Sequence, residues 1–424
     1  MTPDTMREID KKAGIPLCFL LSLLFRCARF FSRSKCRGPV TNIKRLLIVK
    51  PAEMGSTVLT YSSLLKAREQ WPDCEIYFLV FAENTAAVRL LQMVPSENVF
   101  EIRTNDFAVF LLDSVRVLCR IRRMKFDVAV DMEFFSRGSA VLTALSGSRA
   151  SSGFNRYSME GLYKGTLLTH PVQYNCHIHT AASFVTLVEA LSHSAETAAE
   201  IPLVKAPAIP RAQLRLPEMR PSNSEIARVM ELVKRVNPAV SSKSRLIILN
   251  VNASDLMPLR KWPLENFIDL GRRFLVLDDV FIVLTGVAAE SGLVGGVVVE
   301  LGAKRCVNLV GQTSIHELLV LYSLSALMVT NDSGPSHFAG LTTMPCVTLF
   351  GPETPELYAP LGVNKLIVSA GLACSPCVSA YNHRRSPCRE NACMKAISVD
   401  KVYAVCSGLL GEGSAGSTLP VHQS

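Results

Sequence analysis

The sequence lacks several features, and each absence narrows its class. No stretch of 18 or more clean apolar residues occurs, so the chain is not a polytopic membrane protein. No glycine period of collagen type and no repeat of solenoid length is present. No G-x-G-x-x-G follows a strand, which argues against a nicotinamide-dependent oxidoreductase. Charged residues are 19% and hydrophobic residues 49%, so the chain is not disordered and can fill real cores. Its 424 residues exceed one ordinary domain and suit two or three.

The charge that is present is placed unevenly. Forty-five basic and 36 acidic residues give a net +9. Up to residue 45 there are ten cations (Arg7, Lys11, Lys12, Arg26, Arg29, Arg33, Lys35, Arg37, Lys44, Arg45) and three acids (Asp4, Glu8, Asp10), so +7 of the +9 lies there. The remainder is almost neutral, which argues against a nucleic-acid groove and for an anionic surface near the N-terminus. There Ile15–Phe25 is apolar and is followed by Arg26, Arg29 and Arg33. Eleven residues cannot cross a hydrocarbon core of roughly 30 Å as a helix. Lys11 and Lys12 imitate a signal peptide, but no small-x-small cleavage site follows. Residues 1–40 therefore read as an amphipathic segment on an anionic membrane surface, with a helix packed on the protein body as the alternative. Cys18, Cys27, Cys74, Cys119, Cys306, Cys346 and Cys406 sit in apolar or amphipathic runs and read as buried thiols of a reducing compartment, the cytoplasm.

Short β-branched runs (Leu46–Val49, Ile76–Phe81, Val128–Val130, Leu246–Leu249, Val280–Leu284, Leu327–Thr330, Val347–Phe350) alternate with helical periodicity, as in Thr57–Gln70 and Ile315–Ser323. In the first helix Val58, Tyr61 and Leu65 share a face; in the second Ile315, Leu318, Leu319 and Tyr322 do. Such alternation predicts parallel sheets covered on both faces. Pro202, Pro207, Pro210, Pro217 and Pro221 interrupt the pattern. The expected organisation is two doubly wound α/β domains, residues 41–204 and 244–410, joined by a connection at 205–243 and followed by a flexible tail, 411–424. Ligands of such sheets bind beyond the carboxyl ends of the strands, so the turns that follow strands carry the chemistry.

Three turns stand out. Lys50-Pro51-Ala52-Glu53-Met54-Gly55-Ser56 follows the first strand. Gly55 lets a backbone approach a ligand, Ser56 can cap the helix, and Glu53 can serve as general base; a plain βα turn with a solvated glutamate is the alternative. Asn250 to Ser254, then Arg260-Lys261-Trp262-Pro263, offers small polar groups and two adjacent cations suited to a diphosphate, with a basic turn on the surface as the alternative. Asn331-Asp332-Ser333-Gly334-Pro335-Ser336-His337 opens a helix whose N–H groups suit an anion, with a buried structural role as the alternative for His337.

The run from Asn331 to Gly362, NDSGPSHFAGLTTMPCVTLFGPETPELYAPLG, resembles the C-terminal signature of glycosyltransferase family 9, the ADP-heptose:lipopolysaccharide heptosyltransferases. The strand–turn–helix opening RLLIVKPAEMGSTVLTYSSLLKA and the element Lys261-Trp262-Pro263 resemble that family too. The resemblance implies a GT-B fold of two facing Rossmann-like domains and an inverting, metal-independent transfer from a nucleotide-sugar to a lipopolysaccharide-core or other glycolipid acceptor at the inner face of the cytoplasmic membrane. By position it implies that Asp332, Ser333, Gly334 and His337 hold the diphosphate and sugar. Ser254, Arg260 and Lys261 would also line the donor site, the two cations neutralising the leaving nucleotide. Glu290 would meet the ribose, and Thr313 or Ser314 would lie near the base. The family carries an aspartate directly after the glycine of the first turn; here it is Ser56, which leaves Glu53 as the nearest carboxylate for the acceptor's proton. A catalytically inactive sugar-nucleotide binder and an epimerase of the same fold are the competing readings.

Cys374, Cys377, Cys388 and Cys393 form C-x2-C-x10-C-x4-C. The first pair has zinc-ligand spacing, and four thiolates satisfy a closed structural site; disulfides or free thiols in a lid loop are the alternatives. Cys176, His177 and His179 open a helix and suit a packed or capping role better than a metal.

Overall fold

A computed structural model describes residues 3–31, 38–134, 136–156, 164–194, 209–253, 257–379 and 386–411. Ser254 and the tail beyond Gly411, both singled out in the sequence, lie outside the described residues.

The chain divides after Arg215 into two compact units, each an α/β unit. In the first, α1 (Pro3–Lys12) and α2 (Gly14–Phe31) precede β1 (Arg45–Val49), α3 (Met54–Val58), α4 (Tyr61–Gln70), β2 (Glu75–Phe81), α5 (Thr85–Leu90), β3 (Val99–Ile102), α6 (Phe107–Met124), β4 (Val128–Asp131), α7 (Arg137–Leu145), β5 (Ala150–Arg156), β6 (His170–Gln173) and α8 (Thr180–Glu189). All strand pairs are parallel, in the order β3-β2-β1-β4-β5-β6. Leu46, Leu47, Ile48 and Val49 are buried because helices cover both faces of the sheet, and this is why β1 reads as a continuous apolar run.

The second unit begins at Leu216. It contains α9 (Asn223–Val236), β7 (Arg245–Asn250), α10 (Leu264–Phe274), β8 (Val280–Leu284), α11 (Ser291–Leu301), β9 (Cys306–Asn308), α12 (Ile315–Leu324), β10 (Leu327–Asn331), α13 (Gly334–Ala339), β11 (Cys346–Phe350), α14 (Pro355–Tyr358), β12 (Lys365–Ser369), α15 (Ala392–Lys395) and α16 (Val399–Leu409). Its parallel order is β12-β11-β10-β7-β8-β9. Strand order reverses between β1 and β4 in one unit and between β7 and β10 in the other, and those switch points are where doubly wound sheets bind ligands.

Two local readings differ from the structure, and the N-terminal segment shows the packing on the body that was its alternative. Residues 205–243 are not a bare connection: Ser222 and Glu225 form a capping box that starts α9, whose Val229 and Val233 are buried in the second unit. The periodicity of Thr57–Gln70 resolves into two helices broken at Leu59 and Thr60. The break rotates the buried stripe to Val58, Leu64 and Ala67 and leaves Leu65 exposed; Ser62 is buried instead, its Oγ donating to the Arg215 carbonyl at 2.9 Å. Finally, α2 is seated on the body of the first unit. Gly14, Cys18 and Ser22 are its buried seam, packed with Leu21 and Phe25 against Ala140, Val141, Ala144 and Leu145 of α7. Asp10 of α1 accepts the Gly138 N–H at 2.7 Å and pairs with Arg137. Burial nevertheless raises the Asp10 pKa, with Gly138 and Arg137 opposing it.

Candidate functional site

Strand β1 delivers Lys50 to a fully buried position at its carboxyl end. Lys50 Nζ donates to the Ala52 carbonyl at 2.6 Å and to Glu133 Oε1 at 2.9 Å, and the same carboxylate oxygen accepts the Ala52 N–H at 2.8 Å. Glu133 follows the neighbouring strand β4. Lys164 Nζ, also fully buried, donates to the Glu133 carbonyl at 2.9 Å and to Asp131 Oδ2 at 3.3 Å. Two buried lysines and two buried carboxylates thus tie together the turns on either side of the switch point. The sequence reading assigned no role to any of them. Their only signal was a lysine closing the first strand and an Asp-x-Glu closing the fourth.

On that base sits Glu53, exposed, with φ 64° and ψ 81°. It is the N-cap of α3, and its carbonyl accepts the Thr57 N–H at 3.1 Å. Ser56 lies inside the helix and does not cap it, because the turn closes earlier than the sequence suggested. Its Oγ donates to the Glu53 carbonyl at 3.0 Å and to Glu53 Oε2 at 3.2 Å. The left-handed residue of the turn is Glu53 and not Gly55. Burial is the main cause that raises the Glu133 pKa; Lys50 opposes it and the negative charge of Glu53 adds to it.

In the second unit, Asn331 closes β10 fully buried and links two turns. Its Oδ1 accepts the Trp262 N–H at 2.9 Å, and its Nδ2 donates to the carbonyls of Val251 at 3.4 Å and Asn252 at 3.3 Å. Trp262 is 2% exposed, donates Nε1–H to the Ile397 carbonyl at 2.9 Å and stands edge-on to Phe267 at 4.9 Å. Trp262 is therefore an anchor that fixes the two cations before it, Arg260 and Lys261. Arg260 Nη1 lies 3.6 Å from Asp332 Oδ2. That contact engages one terminal nitrogen of a guanidinium with five N–H donors, so the rest can meet an anion. Ser333 is the N-cap of α13, His337 is buried in the same helix, and a Cβ on Gly334 would meet only Phe338, at 4.0 Å. Glu353, after β11, is buried beside this group of strand ends.

The other predicted residues fall as follows. Glu290 accepts Asn252 Nδ2–H at 2.6 Å and the Val287 N–H at 3.0 Å, so it is bound to the turn after β7. Thr313 is half-buried next to Ser314, the N-cap of α12. His179 caps α8, its Nδ1 accepting the Ala181 N–H at 3.2 Å. Among the described residues no three His, Cys, Asp or Glu side chains are arranged to hold a metal ion. Cys374 and Cys388 are exposed, Cys377 half-buried and Cys393 buried. Burial raises the Cys393 pKa, and charge on Cys377 and Cys374 acts in the same direction.

The model of glycosyltransferase family 9 (heptosyltransferase) matches residues 115–386, more than half of the chain. The chain is 22% identical over 328 residues to lipooligosaccharide heptosyltransferase 2 of Haemophilus influenzae, covering 76% of this chain and 88% of that protein. Its fold is that of the E. coli ADP-heptose LPS heptosyltransferase II structure (TM-score 0.65, 18% identity, 87% of this chain and 99% of that one). It is likewise similar to E. coli heptosyltransferase WaaC with ADP (TM-score 0.58, 15% identity, 86% and 99%). Two parallel six-stranded sheets of GT-B type and this match together place the chain in glycosyltransferase family 9, as an enzyme of glycosyl transfer.

Proposed function

We propose that the enzyme moves heptose from an ADP-linked donor to a lipopolysaccharide-core or related glycolipid acceptor, with inversion and without a metal ion. The observation that carries this reading is that Asn331 ties the Arg260-Lys261-Trp262 turn to the turn after β7 at the switch point of the second sheet, with Arg260 beside Asp332. The names of the Haemophilus relative and of the ADP-bound E. coli structure support heptose and ADP. In the step proposed, an acceptor hydroxyl oxygen attacks the anomeric carbon opposite the diphosphate. The new C–O bond forms as the bond to the diphosphate breaks, and that electron pair leaves with the nucleoside diphosphate. The acceptor's proton passes to Glu53. Arg260 and Lys261 meet the charge that grows on the diphosphate. The N-terminal segment holds the enzyme at the inner face of the cytoplasmic membrane, where a lipid-linked acceptor lies; among the described residues no helix is long and apolar enough to cross a membrane.

A thermal-shift screen of ADP-, UDP-, GDP- and CMP-sugars tests the donor. ADP-sugars should shift the melting temperature most; a shift with another nucleotide and none with ADP removes the heptosyl assignment. Gly334→Val should abolish that shift at little cost in stability, because the protein leaves open space at this Cβ and only a ligand would collide with it. Undiminished ADP-sugar binding by folded Gly334→Val would move the donor site elsewhere.

A further inference from the structure

The first unit turns two apolar helix faces to solvent. On α2 the packing is inverted: the small residues Gly14, Cys18 and Ser22 face the protein, while Ile15, Leu17, Phe19, Leu20, Leu23 and Leu24 are 42–62% exposed. A helix adapted to water does the reverse. On α6, Phe107, Leu111, Leu112 and Val115 are 52–57% exposed and lie on one side of its first half. Its second half exposes Arg116, Arg120, Arg122 and Arg123, and its one acid, Asp113, is buried and paired with Arg103.

These helices belong to one layer. The β3-to-β4 and β4-to-β5 crossovers advance in the same direction across the sheet, so right-handed connections put α6 and α7 on the same face. Leu142 of α7 packs against the same buried cluster as Phe110 and Val117 of α6, while other residues of α7 pack with α2. The layer therefore runs α6, α7, α2, with apolar side chains exposed on both outer members.

We propose that α6 is a second lipid-facing element, which acts with α2 to seat the first unit on an anionic bilayer. This deepens the membrane reading above and rests on it. The charge pattern selects the occupant. A second copy of the chain would bring arginine against arginine across a two-fold interface, whereas anionic head groups neutralise them. With two separated helices inserted, the unit is fixed in tilt as well as held.

Co-sedimentation of the full chain with phosphatidylcholine vesicles, with and without phosphatidylglycerol, tests this. Leu111→Asp/Leu112→Asp, with α2 intact, should weaken binding about tenfold or more, as two charges must enter the interface. Arg123→Glu should weaken it about fivefold or more, and only on anionic vesicles. Leu112→Trp keeps the face apolar, and its fluorescence should be quenched by brominated acyl chains. Wild-type binding by the α6 variants and no quenching, while Leu20→Asp/Leu23→Asp abolishes binding, overturns the role of α6 and leaves the membrane reading standing. No vesicle binding by the wild-type chain ends both. A wild-type dimer that becomes monomeric with Leu111→Asp/Leu112→Asp, at unchanged vesicle binding, makes the face an interface between copies and overturns the proposal.

Discussion

Glu53 is held in the left-handed backbone region, which costs a non-glycine residue of order 1–3 kcal/mol and persists only where the surroundings impose it. The surroundings here are the Lys50–Glu133 pair beneath the turn and the Ser56 hydroxyl on its carboxylate. Glu53→Gln should lower turnover about 10²–10⁴-fold at nearly unchanged donor affinity, the usual contribution of a general base. Ser56→Ala should cost far less, since it removes only the hydroxyl that donates to the Glu53 carbonyl and carboxylate. Steady-state kinetics with donor titration check both; full turnover in Glu53→Gln would assign the base elsewhere. The pair beneath is testable by itself. Lys50→Met leaves the Glu133 carboxylate buried without its cation and should destabilise the protein by about 3–5 kcal/mol. Adding Glu133→Gln, whose oxygen can still accept the Ala52 N–H, should restore much of that in denaturant melts. Additive losses would show that the two side chains do not act as a pair.

At the scale of elements, the sequence displayed β1, β7 and β10 clearly because both faces of a central parallel strand are buried and its middle residues form an apolar run. β5, Ala-Ser-Ser-Gly-Phe-Asn-Arg, lacks that signature because its serines find partners within the fold: the Ser152 Oγ donates to the Leu187 carbonyl at 2.7 Å. β12 hides another exception. Lys365 is buried there, its Nζ donating to the carbonyls of Thr342 and Met344, and desolvation lowers its pKa from 10.5 to about 8. Below pH 8 both folded and unfolded chains carry this proton, so Lys365 adds no slope. Between about 8 and 10.5 the unfolded chain binds more protons than the folded one, and stability should rise with pH. Relative to Lys365→Met, the wild type should gain up to about 1.4 kcal/mol per pH unit across that window. Parallel stability–pH curves for the two proteins would place the lysine in solvent.

For the whole molecule, the N-terminal segment contributes to both the packing and the surface of one unit. Removing residues 1–38 strips Cys18, Leu21 and Phe25 from α7 and the Ser22 hydroxyl from the Thr166 N–H. The truncated protein should leave the membrane fraction, and its first unit should melt earlier. The second unit, whose core is its own, should keep its melting transition and its shift with donor. Calorimetry with and without donor separates the two; loss of the donor-dependent transition would show that the second unit depends on the segment.

Sequence alone determined the fold class and displayed the strand-end turns that are proposed to hold the donor. A buried parallel strand must be a continuous apolar run, and a strand-end turn that receives an anion must carry its small residues and cations contiguously, as Asn331 to His337 and Arg260-Lys261 do. It also marked the N-terminal segment as apolar and basic. Tertiary structure decided what depends on residues distant in the chain. Lys50 meets Glu133 across 83 positions, and Asn331 meets Trp262 across 69. No local pattern records such pairs, because only the parallel register of β1 with β4, and of β7 with β10, brings their ends together. The same holds for α2, whose sequence gives a moment but not which side is covered. Its small residues face the protein because a close approach to α7 and to Gly165 requires them, and that leaves its leucines outward.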